Sequence, residues 1–305
     1  YNLQSTFAAL SFYNPDTTPW IIGAVEAVLV GYCLLGGGKR VIKATSTLVP
    51  LMGVIYISVA FILTIMHINL VPGVVGRIFA EAFDFTAIFG GFAGSCMMFG
   101  IKRGLYSNEA GVGSAPNAAA AADVSHPVKQ GLVQMLSVFI DTLLICTATA
   151  FMCLSSGIEP TKELAGAPYV QAALAASMGD YAKLFITVSM VLFAFTTLLG
   201  NLYYVDNAFA YVLKHVPGKT FTLCYRILAC VLIFIGAGSS MGTMWDLADV
   251  TMGCMAIINL PVICILGGPA LRALDDYTEQ RDAGKNPEFK ASKIGLTQKL
   301  DYWQD

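Results

Sequence analysis

The segment GIKRGLYSNEAGVGSAP, residues 100–116, directly follows an apolar run at 85–99 and contains four glycines and a proline. Glycine lowers helix stability by about 1 kcal/mol relative to alanine, and proline by about 3 kcal/mol. This density therefore predicts an interrupted helix. Broken backbone is tolerated in a bilayer only where it is buried in protein or lines a cavity, and discontinuous helices hold the substrates and ions of secondary transporters. A polar loop between two complete spans is the alternative.

The composition places the whole chain in a lipid bilayer. Of 305 residues, 56% are hydrophobic and only 12% are charged, and the mean hydropathy is +0.67. Soluble proteins carry about 25% charged residues, so we predict an all-α polytopic membrane protein. The net charge of −2 says nothing about partners, and no basic cluster suggests a nucleic-acid partner.

The cysteines and histidines do not predict a transition-metal site. All eight cysteines fall inside apolar runs and none forms a CxxC pair, so we interpret them as small buried hydrophobic residues. The three histidines are scattered along the chain and have no metal-ligand spacing.

The hydrophobic runs predict seven complete spans and one remnant helix at residues 1–12. The complete spans are 20–35, 48–66, the interrupted stretch at 85–122, 131–154, 184–204, 221–237 and 245–266. The transporter core would cover residues 1–270. Residues 271–305, which alternate charges and contain Gly284 and Pro287, are predicted to form a soluble, partly disordered C-terminal tail.

Lysine and arginine in the short loops set the predicted orientation. The loops around residues 39–43, 129, 214–226 and 272 are richer in these residues than the opposite set, which contains Arg77 and Lys162. The first set is therefore predicted to be cytoplasmic, which also places the C-terminal tail in the cytoplasm. The protein is expected in the plasma membrane.

Several polar residues lie inside predicted spans. An intramembrane carboxylate such as Glu26 or Asp141 is a functional candidate by default, although a polar helix contact would also explain it. Thr196 and Thr197 are adjacent hydroxyls in an apolar helix. They could bind a ligand, or they could donate to the carbonyl four residues earlier in the helix.

The chain resembles the alanine or glycine:cation symporter family. The resemblance rests on residues 100–116 and on the motifs HPVKQG (126–131), FIDT (139–142) and FAFTT (193–197). It extends over about residues 1–270. It implies a leucine-transporter-like core of two inverted repeats, in which this chain begins at the end of the third core helix and lacks the first ones. It also implies sodium-driven uptake of small neutral amino acids, with Na⁺ as the coupling ion.

The resemblance implies a set of site residues. Exposed backbone N–H groups at a half-helix suit the substrate carboxylate, whereas freed carbonyls and hydroxyls suit its ammonium group and a sodium ion. The predicted substrate-binding residues are Gln4, Asn108, Gly111, Gly113, Ser114, Thr197 and Asn201, and the predicted sodium-binding residues are Thr196 and Thr197.

Two residues of this region depart from simple expectation. Where many family members carry a tryptophan that walls the substrate pocket, this chain has Asn201. The sequence therefore does not predict that the substrates are restricted to alanine and glycine. Glu109 is an acid in a site for a neutral ligand, and pairing with Lys102 or Arg103 would give it a structural role.

Three other functions compete with sodium symport. A proton-coupled transporter of the same fold would use Glu26, Glu109 or Asp141 as the carrier. A channel would need rings of charge or a carbonyl-lined filter, and neither pattern is present. A membrane enzyme would need a nucleophile–base pair or a metal cluster, so we predict that the protein is not an enzyme.

Overall fold

The computed structural model describes residues 1–84, 96–161, 164–296, 300, 302 and 303. These residues form helices and connecting turns, and no strand occurs among them. In chain order the α-helices are α1 Asn2–Phe7, α2 Thr18–Leu35, α3 Gly38–Met66, α4 Val71–Ala82, α5 Cys96–Ser107, α6 Ala115–Ala119, α7 Pro127–Val138, α8 Thr147–Leu154, α9 Ala167–Met178, α10 Asp180–Leu213, α11 Lys219–Gly238 and α12 Met241–Asp282. A π-helical segment, Phe139–Cys146, joins α7 to α8.

Six helices within the described ranges are long and apolar enough to cross a membrane. They are Thr18–Leu35, Gly38–Met66, Pro127–Leu154, Asp180–Leu213, Lys219–Gly238 and Met241–Asp282. The all-α polytopic prediction is confirmed, and these helices match six of the seven predicted spans. The seventh begins at residues 85–95, which lie outside the described residues. The inverted-repeat core remains a prediction.

The chain forms two compact units, of which the first comprises residues 1–100 and 144–249. In this unit α2 packs closely along α11: a Cβ at Gly23 would lie 2.6 Å from the Cβ of Ala237. One core cluster joins α2, α3 and α10 through Val30, Val41 and Leu199. The end of α2 is also held by Arg226, which donates to the Leu34 carbonyl at 2.6 Å.

The second unit comprises residues 101–143 and 250–305, and it contains the interrupted helix. Helix α5 ends at Ser107 and α6 begins only at Ala115. Between them Glu109 and Gly113 have φ angles of +59° and +82°, which no helix accommodates. The predicted interruption between residues 100 and 114 is confirmed.

A π-helical segment at Phe139–Cys146 was not predicted. π-Helices are rare and occur mostly at functional sites. Nothing in the hydrophobic pattern distinguishes this segment from a regular helix. It carries Asp141 and Thr142 near the middle of the spanning helix Pro127–Leu154.

The structure describes much of the predicted C-terminal tail, residues 271–305. Helix α12 runs to Asp282, well past the predicted boundary at 271, and the following residues pack on the second unit. Phe289, Ala291 and Ile294 are buried with Ala273 in one cluster. Residues 283–296, called the docked tail below, are therefore ordered, because apolar side chains inside this polar stretch are buried.

The cysteines also differ from expectation. All eight lie in the described ranges and none forms a disulfide bond there, and only Cys33 and Cys153 are buried. Five others have exposed side chains on helices that present apolar surface outward, as expected of helices in lipid.

Candidate functional site

The first unit contains an open cavity of about 610 Å³ between α1, α2, α10, α11 and the start of α12. Its walls are mostly apolar, and Glu26 and Thr197 are among the few polar side chains that line it. Small-molecule sites are typically apolar clefts with a few precisely placed polar groups. This cavity is therefore the candidate ligand site of the first unit.

Glu26 is the charged residue of this cavity. Its Oε1 atom is buried and has no hydrogen-bond partner among the described residues. A buried polar atom without a partner costs about 1–3 kcal/mol, and more when it is charged. The carboxylate thus has an unfilled bonding position beside the cavity, which supports the functional interpretation of Glu26.

The two threonines of α10 differ in their surroundings. Thr196 is only 6% exposed, and its hydroxyl lies 2.9 Å from the Leu192 carbonyl four residues earlier. This is the back-bonding arrangement that the sequence left open for Thr196. Thr197 lines the cavity. Asn201, one turn later, has an exposed side chain and is not among the residues that line it.

Gln4 lies at a different cavity of the same unit, about 410 Å³ in volume and lined also by Gln171 and Lys183. Gln4 is 7% exposed, and its Oε1 accepts a hydrogen bond from the Tyr13 hydroxyl at 2.7 Å. The structure thus places Gln4 and Thr197, both predicted to bind substrate, at separate cavities. Tyr1 is common to their walls.

In the second unit, residues 107–114, called the broken segment below, are held from one side by the π-helical segment. Ser107 donates to Asp141 at 2.6 Å, and the Asn108 amide donates to the Thr142 hydroxyl at 3.2 Å. Asp141 and Thr142 are the fifteenth and sixteenth residues of the 28-residue span that begins at Pro127. The helix break therefore lies level with the middle of a spanning helix.

Asn108 also ends α5. Its Nδ2 lies 3.2 Å from the Gly104 carbonyl, and its Oδ1 accepts from the Ala110 N–H at 3.1 Å. An asparagine that bonds to its own neighbouring backbone offers the chain an alternative to the helix. Asn108 thus has a local structural role in addition to its predicted role in substrate binding.

Asn259 of α12 holds the broken segment from a second side. Its Nδ2 donates to the carbonyls of Ala110 and Gly111, at 2.8 and 3.0 Å. A Cβ at Gly113 would lie 2.5 Å from the Asn259 Cγ, so only glycine fits there. Sequence reasoning missed Asn259. Its signal was a lone amide inside the apolar run at 245–266.

Three backbone donors of the broken segment are unpaired among the described residues. The N–H groups of Gly111, Val112 and Ser114 have no acceptor within the described part of the chain. The Ser114 carbonyl accepts from the Asn117 side chain. Glu109 forms no ion pair with any described residue, so the predicted pairing with Lys102 or Arg103 is not found.

No group of three or more histidine, cysteine, aspartate or glutamate residues in the described ranges is arranged to hold a metal ion.

Comparison with known proteins shows the family of the chain. The model of the sodium:alanine symporter family matches residues 2–291. The chain is 42% identical over 285 residues to the amino-acid carrier protein AlsT of Bacillus subtilis, covering 93% of this chain and 60% of that protein. It is 39% identical to the probable sodium/glutamine symporter GlnT of Bacillus subtilis (99% and 63% covered). It is also 38% identical to the sodium/alanine symporter AgcS of Methanococcus maripaludis (88% and 59%).

The chain thus spans about 60% of the length of these relatives. The family match covers nearly all of the chain, and the break at Ser107 falls within it. This multi-pass membrane protein belongs to the sodium:alanine symporter family.

Proposed function

We propose that the protein carries a small neutral amino acid across the plasma membrane together with sodium. The observation that carries the proposal is the broken segment, which is held beside Asp141 and Thr142 halfway along a spanning helix. Family membership supports amino-acid symport rather than a channel or an enzyme. The positive loop charges support a cytoplasmic location of the C-terminal tail.

The polar groups suit a zwitterion and a monovalent cation. The N–H groups at Gly111, Val112 and Ser114 would hold a carboxylate, as exposed donors of a broken helix do. Hydroxyl and carbonyl oxygens, with Thr196 and Thr197 as the predicted contributors, would hold the sodium ion. Gln4, Asn108, Gly113 and Asn201 complete the proposed substrate set.

The substrate range is proposed to extend beyond alanine and glycine. Asn201 replaces a bulky indole by a smaller amide that can hydrogen-bond a polar side chain. A site built for hydrogen bonding rejects analogues that lack the bonding group. The relative named a probable sodium/glutamine symporter supports serine or glutamine as substrates.

A proton-coupled mechanism is the second candidate, and one observation favours it. Glu26 has a buried carboxylate oxygen without a partner beside the cavity, which is a position from which a proton carrier can act. A relative from Bacillus sp. (strain PS3), 37% identical, is named a sodium/proton-dependent alanine carrier protein.

Uptake of labelled alanine into proteoliposomes, driven by a sodium gradient or by a proton gradient alone, tests both candidates. We expect uptake to require sodium, and competition by serine and glutamine to exceed competition by valine and leucine. Asn201→Trp should abolish the competition by glutamine while alanine uptake continues. Full uptake with a proton gradient and no sodium would contradict sodium coupling.

A further inference from the structure

Asn259 lies inside the spanning helix α12, at the nineteenth of its 42 residues. Both N–H bonds of its side-chain amide are used, because Nδ2 donates to two consecutive backbone carbonyls, those of Ala110 and Gly111. An amide nitrogen has two such donors. Both hydrogen bonds that this nitrogen can donate therefore go to the broken segment.

The geometry of the peptide bond links these carbonyls to the free donors. A trans peptide group is planar, with its C=O and N–H pointing in opposite directions. The Ala110 carbonyl shares a peptide group with the Gly111 N–H, and the Gly111 carbonyl shares one with the Val112 N–H. Holding both carbonyls against Asn259 therefore turns both N–H groups away from it.

Both of these N–H groups lack an acceptor among the described residues. The segment also lies against the amide without space to shift, since a Cβ at Gly113 would come within 2.5 Å of the Asn259 Cγ and Oδ1. One side chain of α12 thus sets both the orientation and the position of two backbone donors.

We infer that Asn259 is a positioning residue for substrate: it fixes two carbonyls so that the Gly111 and Val112 N–H groups face the substrate carboxylate. This role rests on the proposed function, because it assumes that the broken segment binds an amino acid. Asn259 touches neither substrate nor ion in this role and acts through the backbone of residues 110–112.

The test compares Asn259→Leu and Asn259→Asp with the unsubstituted intact protein in proteoliposomes. Leucine has the same branching without the donors, and aspartate places oxygen atoms against the two carbonyls. We expect the KM for alanine to rise roughly tenfold or more in both variants. The maximal rate per correctly folded transporter and the half-saturating sodium concentration should stay within about twofold. Ile257→Ala, whose side chain is 75% exposed on the same helix, is the control and should change neither constant.

Hydrogen exchange without substrate provides a readout that does not depend on transport. Amides of residues 105–117 should exchange faster in Asn259→Leu than in the unsubstituted protein, and at the unsubstituted rate in Ile257→Ala. Unchanged exchange with unchanged KM would overturn the positioning role. A lower maximal rate with unchanged KM would also overturn it, because a merely structural defect has that signature. No amino-acid uptake by the unsubstituted protein would instead overturn the proposed function, while faster exchange in Asn259→Leu would still support the fixing of the segment by Asn259.

Discussion

The broken segment and the docked tail are both irregular, polar stretches of the second unit, yet they are held in different ways. Asn108 and Asn259 hold the broken segment by hydrogen bonds to the backbone of Ala110 and Gly111. The docked tail is held by apolar burial around Phe289, together with contacts to Ser125 and His126. Similar composition thus gives one segment with backbone donors that lack an acceptor among the described residues, and one segment that buries its apolar side chains.

The docked tail is built around a buried histidine. His126 is 0% exposed, its Nδ1 accepts from the Val128 N–H at 3.2 Å, and its Nε2 lies 3.3 Å from Asp276. The Phe289 ring packs edge-on against it, with a centroid distance of 5.2 Å. The difference between the two regions teaches that buried apolar side chains determine whether a polar stretch packs against its unit. Unpaired polar groups of the backbone determine whether it can bind a ligand.

The largest effect is expected from Gly113→Ala, which should distort the broken segment. A residue with a side chain at φ +82° is strained by about 1–2 kcal/mol, and the added Cβ would overlap Asn259. We expect alanine uptake at low substrate concentration to fall by about tenfold or more.

Gly131→Ala is the matched control for this substitution. Gly131 lies in α7, where a Cβ meets nothing within 4 Å, and alanine is favoured over glycine in a helix by about 0.5–1 kcal/mol. Its uptake should equal that of the unsubstituted protein. Equal uptake by Gly113→Ala would show that the geometry of the broken segment does not matter for binding.

Phe289→Ala is expected to have an intermediate effect, on the docked tail alone. Phe289 is 7% exposed and contacts the rings of His126 and Trp303. Its loss should weaken tail docking by about 3 kcal/mol. Limited proteolysis should then cleave residues 283–296 much faster, while the KM for alanine stays within about twofold.

Phe139→Ala serves as the control for this variant, because Phe139 is 50% exposed in the same unit. Its tail should resist proteolysis like that of the unsubstituted protein. A tail that stays resistant in Phe289→Ala would contradict apolar anchoring, and a large rise in KM would show that the two regions are coupled.

The smallest effect is expected from pH. Burial lowers the pKa of His126 below its usual 6.5, an effect that Asp276 opposes and that nearby Lys129 and Lys293 reinforce. Tyr277 also packs on the ring. When the tail undocks, His126 binds protons more readily, so docking is strongest above about pH 6.5 and weakens as pH falls toward the lowered pKa.

Proteolysis of the tail at pH 7.5 and 5.5 checks this expectation, with cleavage faster at pH 5.5. His126→Asn is the control, since asparagine can accept from the Val128 N–H as an N-cap but does not titrate. It should remove most of the pH dependence. Equal pH dependence in both proteins would assign the effect to other groups.

Much of the fold could be predicted from the sequence, because hydrophobic runs and glycine density determine helices and their breaks through neighbouring residues. Six spans and the break after Ser107 follow from these patterns. The packing of the docked tail was not predicted because its anchors, such as Phe289 and Ile294, are isolated apolar residues in a charged stretch. Their burial depends on partners more than 150 residues away, for example the Ser125 carbonyl that accepts from the Phe289 N–H.

The features of the candidate site likewise fall into those that the sequence determined and those that only the tertiary structure decided. The sequence by itself determined that helices cross a membrane and that one of them breaks among glycines, since helix propensity and hydropathy are properties of neighbouring residues. Only the tertiary structure decided that Asn259 holds the Ala110 and Gly111 carbonyls, that Glu26 keeps an unpartnered oxygen, and that Gln4 and Thr197 line separate cavities. These features depend on the packing of distant helices, because a hydrogen bond requires two groups to meet within about 3 Å, and no local pattern encodes that meeting.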